Sequence, residues 1–309
     1  LDATSDSGAE GDGITSDNTP ALTGSGAVPG DIVSLYDAAG SLLSTSTVAA
    51  DGTYSVTPES PLADGTQELA VTFTDSAGNE SDESAPLTIT IDTIAPDAPT
   101  SAPALGASSD TGTVGDNLTA DTTPTVTGSG AVPGDTVSLY DAAGNVLGTS
   151  TVAADGTYSV TPESPLADGT QDLAVTFTDA AGNESTESAP LSVTIDTTAP
   201  DTPALAPTLE ATSDSGAEGD GITSDNTPTL TGSGAVPGDT VSLYDVAGVL
   251  LGTSTVAADG TYSVTPDSPL ADGTQDLSVT FTDAAGNESA ESAPLTVTID
   301  TTAPDAPAS

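Results

Sequence analysis

Not one lysine, arginine, histidine, cysteine, methionine or tryptophan occurs in this sequence of 309 residues. Against them stand 47 aspartates and glutamates, so no side-chain salt bridge can form and the field of the whole chain is negative. Nucleic acid and anionic membranes both require a basic footprint, and neither is expected as a partner. The lack of cysteine excludes disulfides and thiol chemistry. With histidine and lysine missing too, there is no ordinary Ser-His-Asp triad, no Schiff base and no nitrogen ligand for a catalytic zinc. Paired carboxylates alone can hydrolyse glycosides or peptides. Three copies of such a site on short turns, with no aromatic platform for a sugar, argue against an enzyme. Lys-Asn isopeptide cross-links are also impossible. No apolar run approaches the ~20 residues of a membrane span, and no signal peptide is recognisable. Insertion into a membrane is not expected.

What is present is a repeat. The connector Ile91-Asp-Thr-Ile-Ala-Pro-Asp97 returns as Ile195-Asp-Thr-Thr-Ala-Pro-Asp201 and as Ile299-Asp-Thr-Thr-Ala-Pro-Asp305, at a period of 104 residues. Asp31, Asp135 and Asp239 match, as do Tyr36, Tyr140 and Tyr244. Leu1 aligns with Leu105 and Leu209, so the sequence is expected to be an excerpt of a longer chain. Roughly 100 residues suffices for a domain and is too long for a solenoid unit. Three domains follow, at 1–97, 98–201 and 202–309, the last including the start of a further linker. The Thr/Pro connectors can join neither a helix nor a central strand, and the Pro-rich segments behind them are semi-rigid.

Within each repeat the period is two. In the middle copy Val137 and Leu139 alternate with Thr136 and Ser138. The pattern recurs as Tyr158/Val160, as Leu173/Val175/Phe177 and as Leu191/Val193/Ile195. Turns fall between at Val-Pro-Gly-Asp135, Asp141-Ala-Ala-Gly144, Asp155-Gly156, Asp168-Gly169 and Asp179-Ala-Ala-Gly-Asn183. Hydrophobic content of 35% in this alternation argues against disorder, while a halophilic solvation shell stays open as part of the reason for the acidity. Six or seven short strands with no helical pattern imply an all-β chain of antiparallel sandwiches. Strands at ~3.3 Å per residue make each about 35–40 Å long, and three in line an elongated rod of about 110–130 Å.

The combination of T-P-x-[LV]-T-G-S-G, V-P-G-D, A-D-G-T-Y-S, L-A-D-G-T, T-D-[AS]-A-G-N and the D-T-x-A-P connector resembles the bacterial immunoglobulin-like repeats of giant, type I-secreted, biofilm-associated (Bap-like) adhesins. The likeness covers the chain three times over. It implies three tandem seven-stranded immunoglobulin-like sandwiches on the bacterial cell surface. These would extend a large adhesin in cell adhesion and biofilm formation, with neighbouring repeats of the same chain as partners and Ca²⁺ stiffening the joints.

The residues themselves also point to a cation. Two acids stand at every connector in a chain with no positive side chain, and Ca²⁺ takes 6–8 oxygens in irregular loops rich in Asp, Asn and Gly. In an immunoglobulin-like sandwich the loop between the last two strands faces the preceding domain. Asp179 and Asn183 are therefore expected beside Asp92 and Asp97, and Asp283 and Asn287 beside Asp196 and Asp201. Asp135 lies at the same end as a weaker candidate. The alternative is that Asp-Ala-Ala-Gly-Asn is a good turn and Asp92 a strand terminator; Asn183-Glu-Ser185 also fits a glycosylation sequon. A second candidate, Asp214, Glu218, Asp220 and Asp225, overlaps EF-hand spacing without flanking helices or a terminal Glu. It recurs as Asp6, Glu10, Asp12 and Asp17, and less completely as Asp110, Asp116 and Asp121. A solvated acidic loop explains it equally well. Two other functions compete with the extender reading: an extracellular fibre or surface-layer subunit whose copies are bridged by Ca²⁺, and a binding module for a sugar or host surface.

Overall fold

Alternating apolar residues cut into short lengths by Gly- and Asp-bearing turns can bury one face only as strands. In the computed structural model, which describes residues 1–306, they do so in every repeat, and no helix occurs among the described residues. The first repeat carries β1 (Ile14–Thr15), β2 (Leu22–Ser25), β3 (Ile32–Asp37), β4 (Leu42–Thr47), β5 (Thr53–Val56), β6 (Gly65–Thr74) and β7 (Leu87–Ile91). A five-stranded sheet runs in the order β1-β7-β6-β3-β4 and faces the pair β2-β5. β1 lies parallel to β7, with Ile14 opposite Thr90, and the remaining pairs are antiparallel. This is the immunoglobulin-like arrangement.

The third repeat builds the same five-stranded sheet, with Ile222–Thr223 parallel to Leu295–Ile299. Its smaller sheet gains a third strand, Thr208–Leu209, on Leu230–Ser233. In the middle repeat Val126–Ser129 pairs with Thr157–Val160, and Thr136–Tyr140 pairs with Val146–Thr151 on one side and Gly169–Thr178 on the other. The backbone gathers into two compact units. One holds Leu1–Ala104, Val126–Glu163 and Asp172–Leu191, and the other Leu105–Thr125, Ser164–Gln171 and the residues from Ser192 onward.

Inward-facing residues of both sheets form the cores. In the first repeat Val33, Leu35, Val56, Leu69, Ile89 and Ile91 are buried, and in the third Leu230, Val241, Leu243, Val264, Leu277 and Val279. Burying each such side chain contributes about 1.5–3 kcal/mol. A single aromatic pair completes each core: Tyr54–Phe73, Tyr158–Phe177 and Tyr262–Phe281 meet edge-to-face at 5.3–5.5 Å. Every one of these tyrosines lies opposite a glycine of the partner strand, Gly24, Gly128 or Gly232. A β-carbon there would overlap the ring, so the glycine is what lets the tyrosine lie flat.

Alternation does not leave the outer face of the large sheet fully wet. Thr72, Thr176 and Thr280 point away from the core yet are buried. The connection after β6 runs back along the half of that strand which β7 does not cover: Ser81 N bonds Phe73 O and Ser84 N bonds Val71 O, both at 2.9 Å. Glu80 Oε1 then lies over the outer face and accepts from Thr72 Oγ1 (2.7 Å) and Tyr36 OH (3.0 Å), as do Glu184 and Glu288 in the later repeats.

Leu243→Ala should cost the third repeat about 2–5 kcal/mol, read as denaturant-induced loss of amide protection over Thr240–Asp245. Gly232→Ala should cost about 1–3 kcal/mol by displacing Tyr262, and should perturb the tyrosine environment where Leu243→Ala perturbs aliphatic packing.

Candidate functional site

The connectors are fastened at their start. Asp92 N extends the sheet by bonding Thr15 O at 2.9 Å, while Asp92 Oδ1 accepts from Ile94 N at 3.1 Å and turns the chain out of the strand. The next residue, Thr93, bonds Asp64 through Oγ1 at 3.0 Å. The same fastening recurs as Thr197 with Asp168 and Thr301 with Asp272. Hydrogen bonds from Thr301 hold the Asp272 carboxyl below its ordinary range. These three aspartates were not among the residues expected at the joint. Their signal was present as the Asp of every L-A-D-G-T turn, but it reads as turn chemistry alone.

From the next repeat, the turn between the last two long strands reaches this connector. Asn183 Nδ2 donates to Asp92 O at 2.8 Å and to Asp179 Oδ2 at 2.9 Å, and its backbone N–H donates to Asp179 Oδ1. Asn287 repeats this with Asp196 O (2.9 Å) and Asp283. Expected partners thus meet, through an amide and a backbone carbonyl, while the Asp92 and Asp196 carboxylates each cap their own turn. Asp97 and Asp201 are exposed. An Asn183 amide engaged on both sides, with Ser185 Oγ taken by Phe177 N, leaves the sequon geometry occupied by structure.

The early acidic loops arrive at the same place. Ser7 Oγ donates to Ala181 O at 2.5 Å and Ala9 N to Ala180 O at 3.4 Å. Across the second joint Thr111 Oγ1 donates to Ala285 O and Thr113 N to Ala284 O at 2.9 Å. Ala181 and Ala285 are buried, whereas Ala77, the matching residue of the first repeat, is exposed. The acids of these loops mostly serve their own backbone. Asp6 accepts from Gly11 N, Asp12 from Ile14 N and Asp17 from Thr19 N. Asp110, Asp116 and Asp121 do likewise, as do Asp214, Asp220 and Asp225, while Glu10 and Glu218 are exposed. One oxygen of Asp6, Asp110 and Asp214, Oδ1, is buried without a hydrogen-bond partner.

Asp135 and Asp239 are the most telling groups. Each is 7% exposed, and Oδ2 of each has no hydrogen-bond partner. Burial pushes both carboxyls upward, and the neighbouring Asp179 or Asp283 adds to the shift. Asp31, the first copy, is only partly buried. An unpartnered oxygen this deeply buried disfavours the charged form of each carboxyl, which is the main cause of its upward shift. Among the described residues no group of three or more carboxylate, histidine or cysteine side chains gathers around a metal-sized gap. The structure thus does not gather the acids of the expected set around one point; at each joint it leaves two carboxylates as neighbours, Asp135 with Asp179 and Asp239 with Asp283.

The family described as bacterial Ig-like domain matches residues 1–93, 97–197 and 201–301. Among solved structures, the chain is similar to a tetra-tandem repeat in the extending region of a large adhesion protein. That likeness has 28% identity over 93% of this chain and 71% of the other, with a TM-score of 0.26. It is also similar to a Ca²⁺-stabilized adhesin that helps an Antarctic bacterium reach out and bind ice (30% identity, 95% and 73% covered, TM-score 0.35). A third likeness is to a bacterial ice-binding adhesin (26% identity, 94% of each chain, TM-score 0.30). Among curated proteins nothing matches. With an immunoglobulin-like pair of sheets in the first and third repeats, the same strands in the second, and the family matched in all three stretches, the chain belongs to the bacterial Ig-like domain family.

Proposed function

We propose that the chain forms structural extender repeats, at 1–97, 98–201 and 202–309, of a large secreted bacterial surface adhesin serving cell adhesion and biofilm formation. The observation that carries this reading is that one joint is built twice. Asn183 on the Asp92 carbonyl and Asn287 on the Asp196 carbonyl repeat the same contact at the same period, as a spacer of fixed geometry requires. No chemistry is assigned to any residue. Place outside the cell is inferred from the motif resemblance.

Ca²⁺ is the cofactor of this reading. When bound, it supplies the positive charge that the side chains lack. Asp135 with Asp179, and Asp239 with Asp283, would hold it, supported by the orphaned Oδ2 atoms and by the shortage of any other counter-charge. Asp92 and Asp196 keep their carbonyls on the asparagines and their carboxylates on their own turns. The acids of the early loops, Asp6, Asp110 and Asp214 above all, remain secondary candidates through their buried Oδ1 atoms. In the ion-free chain the paired acids repel and the joint loosens. A cation that binds only the ordered joint stabilises it by about 2.7 kcal/mol at a hundredfold excess over its Kd.

Thermal melts in Ca²⁺, in Mg²⁺ and in concentrated NaCl test the idea. Ca²⁺ should raise Tm well beyond the other two; an equal gain in NaCl would mean charge screening alone. Asp239→Asn should raise Tm in excess chelator, because it removes a buried charge beside Asp283, and should shrink the gain on adding Ca²⁺. An unchanged Ca²⁺ gain would remove Asp239 from the site.

A further inference from the structure

The acidic loop at the start of each repeat contributes something other than acids. Its central residues, Ser7-Gly8-Ala9 and Thr111-Gly112-Thr113, are small and uncharged, and they touch the following repeat. We propose that this segment is a docking element whose partner is the Ala-Ala-Gly turn of the next repeat, and that missing β-carbons on both sides set the alignment independently of any ion.

The argument is one of space and of hydrogen-bond direction. A β-carbon on Gly8 would overlap the Ala180 carbonyl oxygen, and one on Gly112 would overlap that of Ala284. In return, a β-carbon on Gly182 would lie 2.8 Å from Gly8 N, and one on Gly286 would lie 2.9 Å from Gly112 N. Real β-carbons essentially never come so close, so the backbones can approach only because all four residues are glycine. Approach then lets the turn's carbonyls, Ala180 O and Ala181 O or Ala284 O and Ala285 O, accept from a backbone N–H and a hydroxyl. Neither donor nor acceptor is charged, so the contact escapes the repulsion that burdens every acid at the joint. Two joints of different sequence, Ser-Gly-Ala in one and Thr-Gly-Thr in the other, converge on one geometry. The constant element is the glycine.

The molecule supplies its own controls. Gly78 is the first repeat's copy of Gly182 and Gly286, and Gly216 the third repeat's copy of Gly8 and Gly112. All share positive φ, +85° for Gly78 and +92° for Gly286, +89° for Gly216 and +68° for Gly112. Alanine is therefore strained at each position in a similar way. A β-carbon at Gly78 or Gly216, however, has no heavy atom within 4 Å. Subtracting control from variant isolates the joint from the local backbone cost.

Hydrogen exchange on the full chain, in Ca²⁺ and again in chelator, reads the Thr113 amide that donates to Ala284 O. Gly112→Ala and Gly286→Ala should each speed its exchange about tenfold or more, leaving the strand amides of Thr240–Asp245 protected. Gly216→Ala and Gly78→Ala should leave Thr113 as in the parent. Asp239→Asn should also leave it protected in Ca²⁺, since the latch does not act through the ion. The proposal is overturned if variants and controls behave alike, or if Asp239→Asn exposes Thr113 as fully as Gly286→Ala does. Failure of Ca²⁺ to stabilise the chain would overturn the metal reading and leave this comparison intact, because each variant is read against its control in the same buffer.

Discussion

Every charged side chain here is an anion, so wherever two repeats meet, the chain has to make contact between like charges with no cation of its own. Its solution is to present neutral donors. The asparagine amide, the serine or threonine hydroxyl and a backbone N–H donate the hydrogen bonds described above across the joints. These groups accept no Coulomb penalty and gain a modest net energy each. The carboxylates are turned mostly to local work, as acceptors for N–H groups two to five residues away. Asp135 and Asp239 differ in being buried beside a second acid of the same repeat.

Such a joint couples small energies to alignment. The sandwiches have their own cores and aromatic pairs, so the repeats do not need one another's apolar surface. What the joint adds is direction. The connector is fastened to its own repeat by Asp64 or Asp168 and to the next by Asn183 or Asn287, leaving few free dihedrals between them. On the readings proposed above, a cation at the paired acids and a glycine latch would be two separate devices at the joint, one acting through charge and the other through shape.

Much of the fold was legible because the signals are local. Period-two alternation, the Gly/Asp turns and the repeat of 104 residues fix strands, sheets and the count of repeats. Of the expectation that Asp179 and Asn183 lie beside Asp92 and Asp97, and Asp283 and Asn287 beside Asp196 and Asp201, the structure shows Asn183 on the Asp92 carbonyl and Asn287 on the Asp196 carbonyl, while Asp97 and Asp201 are exposed. The atoms that meet were harder to foresee. Loop composition points to Asp and Asn side chains as ligands, whereas Asn183 donates to a carbonyl, and Asp92 spends its carboxylate on Ile94 N. The burial of Thr72 under Glu80 likewise escapes a rule of alternation, because it depends on a connection folding back over the sheet.

By itself the sequence determined the all-β class, the repeat, the acid-only electrostatics and the exclusion of thiol, Schiff-base and histidine-ligand chemistry. Each of these follows from residue type or from spacing along one strand. The tertiary structure alone decided that two acidic segments about 170 residues apart share one joint, that a glycine in each is the point of contact, and that Asp135 and Asp239 are buried beside a second acid with one oxygen lacking a hydrogen-bond partner. Close approach of two backbones and loss of water from one oxygen are properties of surfaces brought together, and no pattern within either segment encodes them.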